Sequence, residues 1–299
     1  MHRALRVRAH AKINLALHVA GVRPDGDHEL RTIFQSVSLH DTLTFRAVGG
    51  PFAIECTDPA CPTDCTNLVW KAAEAVWRAA KRRGAPRDLH VRLTKRIPLQ
   101  SGLGGGSSDA VAAIRACAAL WKVGLDRDQL QEIAATLGAD VPYFLEGGTL
   151  LGLGRGDVLF PLIDRPAAWV TIVIPPFGVS TKDAFKWWDA SQRKSGRSGR
   201  SGGSGVASAF RRTNSNDLEL PVARHHPEIA RIVSALKRLS ASHASMSGSG
   251  SAVFGLFDSR RRAEAAARAL DRRGRAIVAR TLSRSAYQKM SRVRDARRR

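Results

Sequence analysis

Residues 5–15, LRVRAHAKINL, alternate without a break: Leu5, Val7, Ala9, Ala11, Ile13 and Leu15 are apolar, and Arg6, Arg8, His10, Lys12 and Asn14 are polar. A period of two predicts a half-buried β-strand. It puts Lys12 and Asn14 side by side on the polar face. Further strands are predicted at 33–38, 42–47 and 90–96, and a helix over 67–82. Residues 107–121 switch to helical spacing, with Val111, Ile114, Ala118 and Trp121 on one face. The next helix carries its own start and stop signals. Asp126 with Gln129 three residues on reads as a capping box, and Gly138 suits the C′ position. Leu130, Ile133, Ala134 and Leu137 form its apolar face. Asp140 follows at once, in LGADVPYFL, so a chain corner presents a carboxylate beside a fresh helix start.

The pattern restarts after about residue 163. WVTIVIP (169–175) reads as a buried strand. Helices are predicted at 215–223 and 227–240, the second with Ile229, Ile232, Val233, Leu236 and Leu239 as its apolar stripe. SAVFGLF (251–257) reads as a strand, 259–273 as a helix and AIVAR (276–280) as a strand. This βααβαβ order fits an α+β sandwich. The Ser/Gly/Arg-rich stretch 191–208, SQRKSGRSGRSGGSGVAS, is expected to be a mobile loop.

Composition narrows the classes. The 299 residues are 43% apolar, enough for one large or two ordinary cores. No apolar run approaches the ~18 residues of a membrane span, and the N-terminus alternates instead of forming a secretory apolar core. A cytoplasmic protein is expected. The net charge is +22, but its place matters: residues 260–299 hold 15 Arg/Lys against three acids, and 191–212 hold six against none. With 6% aromatics and no zinc-finger or RNP signature, no specific nucleic-acid partner is expected. A positive field suits an anionic small-molecule substrate. Cys56, Cys61 and Cys65 form C-x4-C-x3-C, without the C-x2-C pairing of common zinc sites. Together with Cys117 they read as ordinary thiols, and no protein-bound metal is expected.

The chemistry concentrates in KRIPLQSGLGGGSSDAVAAI, residues 95–114. Glycines raise the cost of ordering a loop, so bare backbone must be needed there. Main-chain N–H groups at a helix N-terminus form an anion site. Gly102, Gly104, Gly105 and Gly106 let an anion approach, and Ser107 and Ser108 add hydroxyls. The loop is neither a G-x-x-x-x-G-K-[ST] loop nor a dinucleotide G-x-G-x-x-G, whose last position here is Ser107.

PLQSGLGGGSSDA resembles the P-x-x-x-G-L-G-[GS]-[GS]-S-[AS] loop of the GHMP kinases, small-molecule kinases named for galactose, homoserine, mevalonate and phosphomevalonate. AKINLALHVAGVRPDGDHELRTIFQSV, LGADVPYFLEGG and SMSGSGSAVF fall in the order of one branch of that superfamily. That branch phosphorylates the 2-hydroxyl of a cytidine-diphosphate-linked methylerythritol in non-mevalonate isoprenoid synthesis. The resemblance covers about residues 8–257 and is weakest at 185–213. It implies a two-domain α+β fold: an N-terminal, ribosomal-S5-domain-2-like ATP-binding domain (1–163) and a C-terminal, ferredoxin-like substrate domain (164–299), with the site in the cleft between them.

The resemblance also implies roles. ATP phosphates would lie over Pro98, Leu99, Gln100, Ser101, Gly102, Leu103, Gly104, Gly105, Gly106, Ser107 and Ser108. Asp140 would act as base and Lys12 as stabiliser. Asn14, His28 and Phe185 would contact the substrate, a cytidine diphosphate derivative. Mg²⁺ would accompany ATP, with Ser108 as a candidate ligand, and the SGSGS stretch 247–251 would be a third glycine-rich motif near the site. Monomer and homodimer both fit. The chain departs from the branch at one place: it reads Asp25-Gly26-Asp27-His28 where the branch has D-G-Y-H with a base-stacking tyrosine. An aspartate cannot stack, and base–aromatic stacking is worth about 1–3 kcal/mol. A GHMP kinase for another alcohol therefore stays open.

Overall fold

The alternation at residues 5–15 does form a strand, although not a half-buried one. In the computed structural model, which describes residues 4–194 and 215–296, β1 runs from Ala4 to Val22. His10, Lys12 and Asn14 are as buried as the apolar residues between them. The register against the neighbouring strand shifts between His10 and Lys12. At that point the apolar positions change partners. Val7 and Ala9 join a core under helices, whereas Ala11, Ile13 and Leu15 pack against a second sheet. The polar face is buried by contacts that no periodicity records: His10 lies beside His40 and Tyr287, and Lys12 and Asn14 lie among Phe34, Thr32, Asp140 and Gly248.

Among the described residues the first sheet has seven strands. β2 (His28–Pro51) pairs along β1 and then serves two further partners. Its residues 42–51 pair with β4 (Arg87–Thr94), and 30–35 with β5 (Thr149–Gly154). β3 (Ala53–Cys56) lies parallel to β4, and β6 (Val158–Pro161) pairs with β5. Four helices complete this half: α1 (Leu68–Ala79), α2 (Gly105–Trp121), α3 (Arg127–Leu137) and the single turn α4 (Tyr143–Glu146). Leu43, Phe45, Val91 and Leu93 of the sheet meet Ala73 and Val76 of α1 and Ala113 and Ile114 of α2 in one core. The capping box of α3 is present as expected, Asp126 accepting from the Gln129 N–H at 2.8 Å and Gln129 returning the bond at 3.0 Å.

The second sheet is antiparallel, in the order β10-β7-β9-β8, from β7 (Trp169–Ile174), β8 (His243–Met246), β9 (Val253–Phe257) and β10 (Arg275–Arg280). One face carries α6 (Glu219–His225), α7 (Glu228–Arg238) and α8 (Arg260–Leu270), through Val222, Ile229, Ile232, Leu236, Ala263 and Leu270. Its other face packs Val170, Ile172 and Phe254 against Ile13, Val37 and Leu103 of the first unit.

α5 (Thr181–Lys194) was not legible as a helix. Its signal is a Ser180–Asp183 pair, in which the Asp183 N–H donates to Ser180 Oγ at 3.0 Å. The β5–β6 hairpin was also missed, because TLLGLG reads poorly as a strand. Gly152 is there for space: a Cβ would come within 2.8 Å of the Phe34 ring. The stretch expected as a loop at 191–208 lies, from residue 195 on, outside the described residues. The expected C-terminal unit does not keep its full length. After β10 the chain returns to the first unit through α9 (Arg284–Met290) and β11 (Arg294–Asp295), which pairs with β1. Tyr287 drives the return, filling the space over Gly147 and donating its hydroxyl to the Phe144 carbonyl at 2.6 Å. Among the described residues, no helix is long and apolar enough to cross a membrane.

Candidate active site

A cleft of about 1410 Å³ opens between the two units. One wall is the glycine loop and the start of α2. Gly104 precedes that helix with φ +70° and no side chain caps it, so the first-turn N–H groups have no intrahelical partner. Gly104, Gly105, Gly106 and Ser107 line the cleft there. The glycines also answer to packing. A Cβ on Gly104 would lie 2.8 Å from the Phe144 ring, and one on Gly105 2.9 Å from Ile97.

Beneath the loop sits an ion cluster that sequence reasoning passed over. Lys95, at the end of β4, donates to Asp41 and, at 2.8 Å, to Asp109 of α2. Asp41 also accepts the N–H groups of Arg96 at 2.5 Å and Ile97 at 2.8 Å. Two carboxylates share one ammonium, and among the described residues one Asp109 oxygen has no partner. Burial pushes the Asp109 carboxyl up, and the two carboxylates hold the Lys95 ammonium above its ordinary range despite its burial. The cluster ties β2, β4 and α2 together under the anion site.

Lys12 stands at the middle of the cleft. Its main-chain N–H donates to the Leu103 carbonyl at 3.0 Å, joining β1 to the glycine loop. Lys12 is 3% exposed, and its Nζ lies over the Phe34 ring, 5.5 Å from the centroid. The ammonium donates to Asn14 Oδ1 at 2.7 Å and sits 3.3 Å from Asp140 Oδ2. The Asn14 amide points its other end to Thr32 Oγ1 at 2.7 Å, and Thr32 donates on to the Ala16 carbonyl at 2.8 Å. This relay fixes which end of the amide faces the lysine. Asp140 occupies the corner between α3 and α4, held by Val141 N–H to Gly138 O and Phe144 N–H to Val141 O. Its side chain is 36% exposed, so the carboxylate faces the cleft.

The SGSGS stretch closes the cleft from the second unit. Ser247 donates to the Gly102 carbonyl at 3.0 Å and accepts the Asn14 N–H at 3.3 Å. The Asn216 amide holds the carbonyls of Met246 and Gly248, each at 2.8 Å. At another part of the cleft His28 stacks on Phe185, with centroids 4.4 Å apart, and its Nε2 lies 2.9 Å from Asp189 Oδ1. Because a carboxylate only accepts, Nε2 carries the hydrogen.

Of the residues expected from the sequence, Lys12, Asn14, His28, Asp140, Phe185 and the loop from Pro98 to Ser107 all line this cleft. Ser108 does not: it is 2% exposed, one position inside α2 beyond the lining residues. Lys95, Arg155, Lys186 and Asp189 line the cleft and were not singled out. Helical spacing from Phe185 would have pointed to Asp189, four residues on along α5.

The family models described as GHMP kinases N terminal domain and GHMP kinases C terminal match residues 67–148 and 198–276. A 4-diphosphocytidyl-2-C-methyl-D-erythritol kinase of Solibacter usitatus (strain Ellin6076) is 44% identical over 86% of this chain and 83% of its own. The chain belongs to the GHMP kinase family. A second relative of the same description, from Gloeobacter violaceus (strain ATCC 29082 / PCC 7421), is 38% identical over 88% of this chain and 89% of its own. A crystal structure of 4-(cytidine 5'-diphospho)-2C-methyl-D-erythritol kinase superposes with a TM-score of 0.74 at 32% identity, covering 92% of this chain and 98% of that one. The two-domain GHMP kinase fold is thereby the fold of this chain; the first matched segment lies in the first unit, and residues 215–276 of the second lie in the second unit.

Proposed function

We propose that the chain transfers the γ-phosphoryl group of ATP to the 2-hydroxyl of 4-diphosphocytidyl-2-C-methyl-D-erythritol, the compound named in its relatives. The observation that carries this reading is the 3.3 Å approach of Lys12 Nζ to Asp140 Oδ2, in the cleft that receives the uncapped N-terminus of α2. Phosphoryl transfer needs positioning and charge stabilisation more than covalent help. The nucleotide phosphates take the α2 N–H groups and the loop from Pro98 to Ser107. The acceptor hydroxyl lies against Asp140, which accepts or orients its proton. Lys12, aimed by Asn14, holds that carboxylate and meets the charge growing on the transferred group. On this reading residues up to about 163 carry the nucleotide, and the acceptor bridges both units. His28, with its hydrogen on Nε2, offers Nδ1 as an acceptor, which suits the amino group of a cytosine.

The residues do not fit a protein-built magnesium cage. Lys12 holds Asp140, Arg155 approaches Asp27, His28 meets Asp189 and Lys95 binds Asp41 and Asp109. Ser108 lies behind the wall. A magnesium ion entering with ATP would be held through the phosphates and water, and would supply charge neutralisation there.

The test is ATP-dependent phosphorylation of this acceptor by wild type, Asp140→Asn and Lys12→Ala. Turnover by wild type and large losses in both variants support the reading. A folded, ATP-binding wild type that leaves the acceptor untouched overturns it and favours another alcohol, the reading that Asp27 in the cleft would then serve.

A further inference from the structure

The turn that carries Asp140 does not hold itself. Among the described residues the Asp140 carboxylate has one charged partner, Lys12 at 3.3 Å, and no hydrogen bond, so its aim is set by the backbone beneath it. That backbone runs into α4, a single turn of four residues. One turn is too short to be stable alone, and its last carbonyls find no partner inside the helix. Their partners come from two distant elements. Tyr287 of α9 donates its hydroxyl to the Phe144 carbonyl at 2.6 Å. Arg115 of α2 donates Nη2 to the Leu145 carbonyl at 2.7 Å and to the Phe144 carbonyl at 3.4 Å. A guanidinium suits the carbonyl end of a helix.

The Tyr287 ring lies flush on Gly147, just past α4, where a Cβ would come within 2.1 Å of it. A phenylalanine would fill the same space, so what the hydroxyl adds is the bond to α4. Burial raises that hydroxyl above its ordinary range and keeps it a donor. On its other side the held turn faces the chemistry. Phe144 is one turn on from Asp140, and its ring abuts Gly104, where a Cβ would lie 2.8 Å from the ring and 3.2 Å from Lys12 Cγ. The turn that Tyr287 and Arg115 grip thus carries Asp140 and touches both the start of α2 and the stem of Lys12.

We infer that Tyr287 and Arg115 are positioning residues for phosphoryl transfer: by fixing the carbonyl end of α4 they set the approach of Asp140 to Lys12, and the C-terminal return of the chain becomes part of the catalytic machinery. The inference rests on the roles given to Asp140 and Lys12 in the proposed function.

The experiment compares wild type, Tyr287→Phe, Arg115→Met and Arg115→Lys, each also in the Asp140→Asn background, under conditions where circular dichroism shows the variants folded. It reads kcat and both KM values, single-turnover rates for the slow Asp140→Asn pairs, and the Asp140 carboxyl signal in carbon-13 NMR, assigned by its loss in Asp140→Asn. Tyr287→Phe and Arg115→Met are expected to lower kcat about ten- to a hundredfold. Either KM should move less than about twofold, and the Asp140 signal should shift. Arg115→Lys, which can still donate to one carbonyl, should regain part of the rate. In the Asp140→Asn background the same substitutions should cost nothing further, because a residue that acts through Asp140 has nothing left to position. A wild-type kcat in folded Tyr287→Phe and Arg115→Met, or an equal loss in the Asp140→Asn background, would overturn the inference and leave the kinase reading intact. If Tyr287→Phe does not fold, the two Arg115 variants decide by the same comparison. If wild type leaves the acceptor untouched, the kinase reading falls, and the NMR signal still decides: a shifted Asp140 carboxyl in both variants upholds the positioning role, and an unmoved one ends it.

Discussion

A Cβ placed on Gly102 would lie 2.0 Å from the carbonyl oxygen of Ser247. The glycine loop and the SGSGS stretch therefore meet backbone to backbone, and φ at Gly102 is +73°, where a side chain is strained in any case. The contact that closes the cleft depends on this one missing atom. Gly102→Ala is expected to destabilise the protein by about 3 kcal/mol or more, measured by urea unfolding. Gly106 supplies the contrast. Its Cβ would meet only Leu68, at 3.5 Å, inside α2. Gly106→Ala is expected to stay within about 1 kcal/mol of wild type. Equal effects would mean that the glycines serve the anion alone.

Lys12 and Asn14 act as one unit if the 2.7 Å bond between them aims the ammonium. Asn14→Ala removes the acceptor and leaves the charge, so kcat should fall by roughly ten- to a hundredfold, less than in Lys12→Ala. The double variant should resemble Lys12→Ala, with a coupling of about 0.5–3 kcal/mol in kcat/KM. Additive losses would separate the two residues and give Asn14 a role of its own on the substrate.

Much of this site is legible in the amino-acid sequence, and the reasons are physical. Period two puts Lys12 beside Asn14, and the capping box of α3 with Gly138 puts Asp140 at a corner. Burial is not legible. The polar face of β1 reads as solvent-facing until Thr32, Asp140 and Gly248 close round Lys12 and Asn14, and Tyr287 beside His10. Lys95 stands out in no local pattern because Asp41 and Asp109, its partners, lie 54 and 14 residues away. The same holds for Asp27 and Arg155, whose approach comes from the β2–β5 pairing. Alternation and caps are local signals, whereas charge pairing across a sheet has no period to betray it.

Lys95 offers a stability test separate from catalysis. Removing it leaves two buried carboxylates without their cation, so Lys95→Met is expected to cost about 3–5 kcal/mol. Asp109→Asn puts a neutral group where burial already favours the protonated carboxyl and leaves the Asp41 bonds to Lys95, Arg96 and Ile97, so it should cost under about 1 kcal/mol. Urea unfolding at neutral pH checks both. A mild effect of Lys95→Met would mean that water reaches the cluster and replaces the ammonium.

Acid stability follows from buried histidines. Burial, with the nearby His40, pulls His10 down to about 3, and burial pulls His243 down to about 4, against about 6.5 in the unfolded chain. Below pH 6.5 the unfolded chain binds protons that the folded one refuses, so stability is complete above 6.5 and falls as pH drops toward those values. At pH 5 each histidine should cost about 2 kcal/mol. Asp109 opposes this trend, because burial raises its carboxyl and acid then favours the folded form. The decisive quantity is therefore a difference: unfolding free energy at pH 7.5 minus that at pH 5.0, in wild type and in His10→Phe. The variant keeps a ring between His40 and Tyr287, whose rings lie 4.9 and 6.0 Å from that of His10, and removes the titration. It should lose about 2 kcal/mol less on acidification than wild type, and an unchanged difference would show that His10 takes up its proton in the folded state.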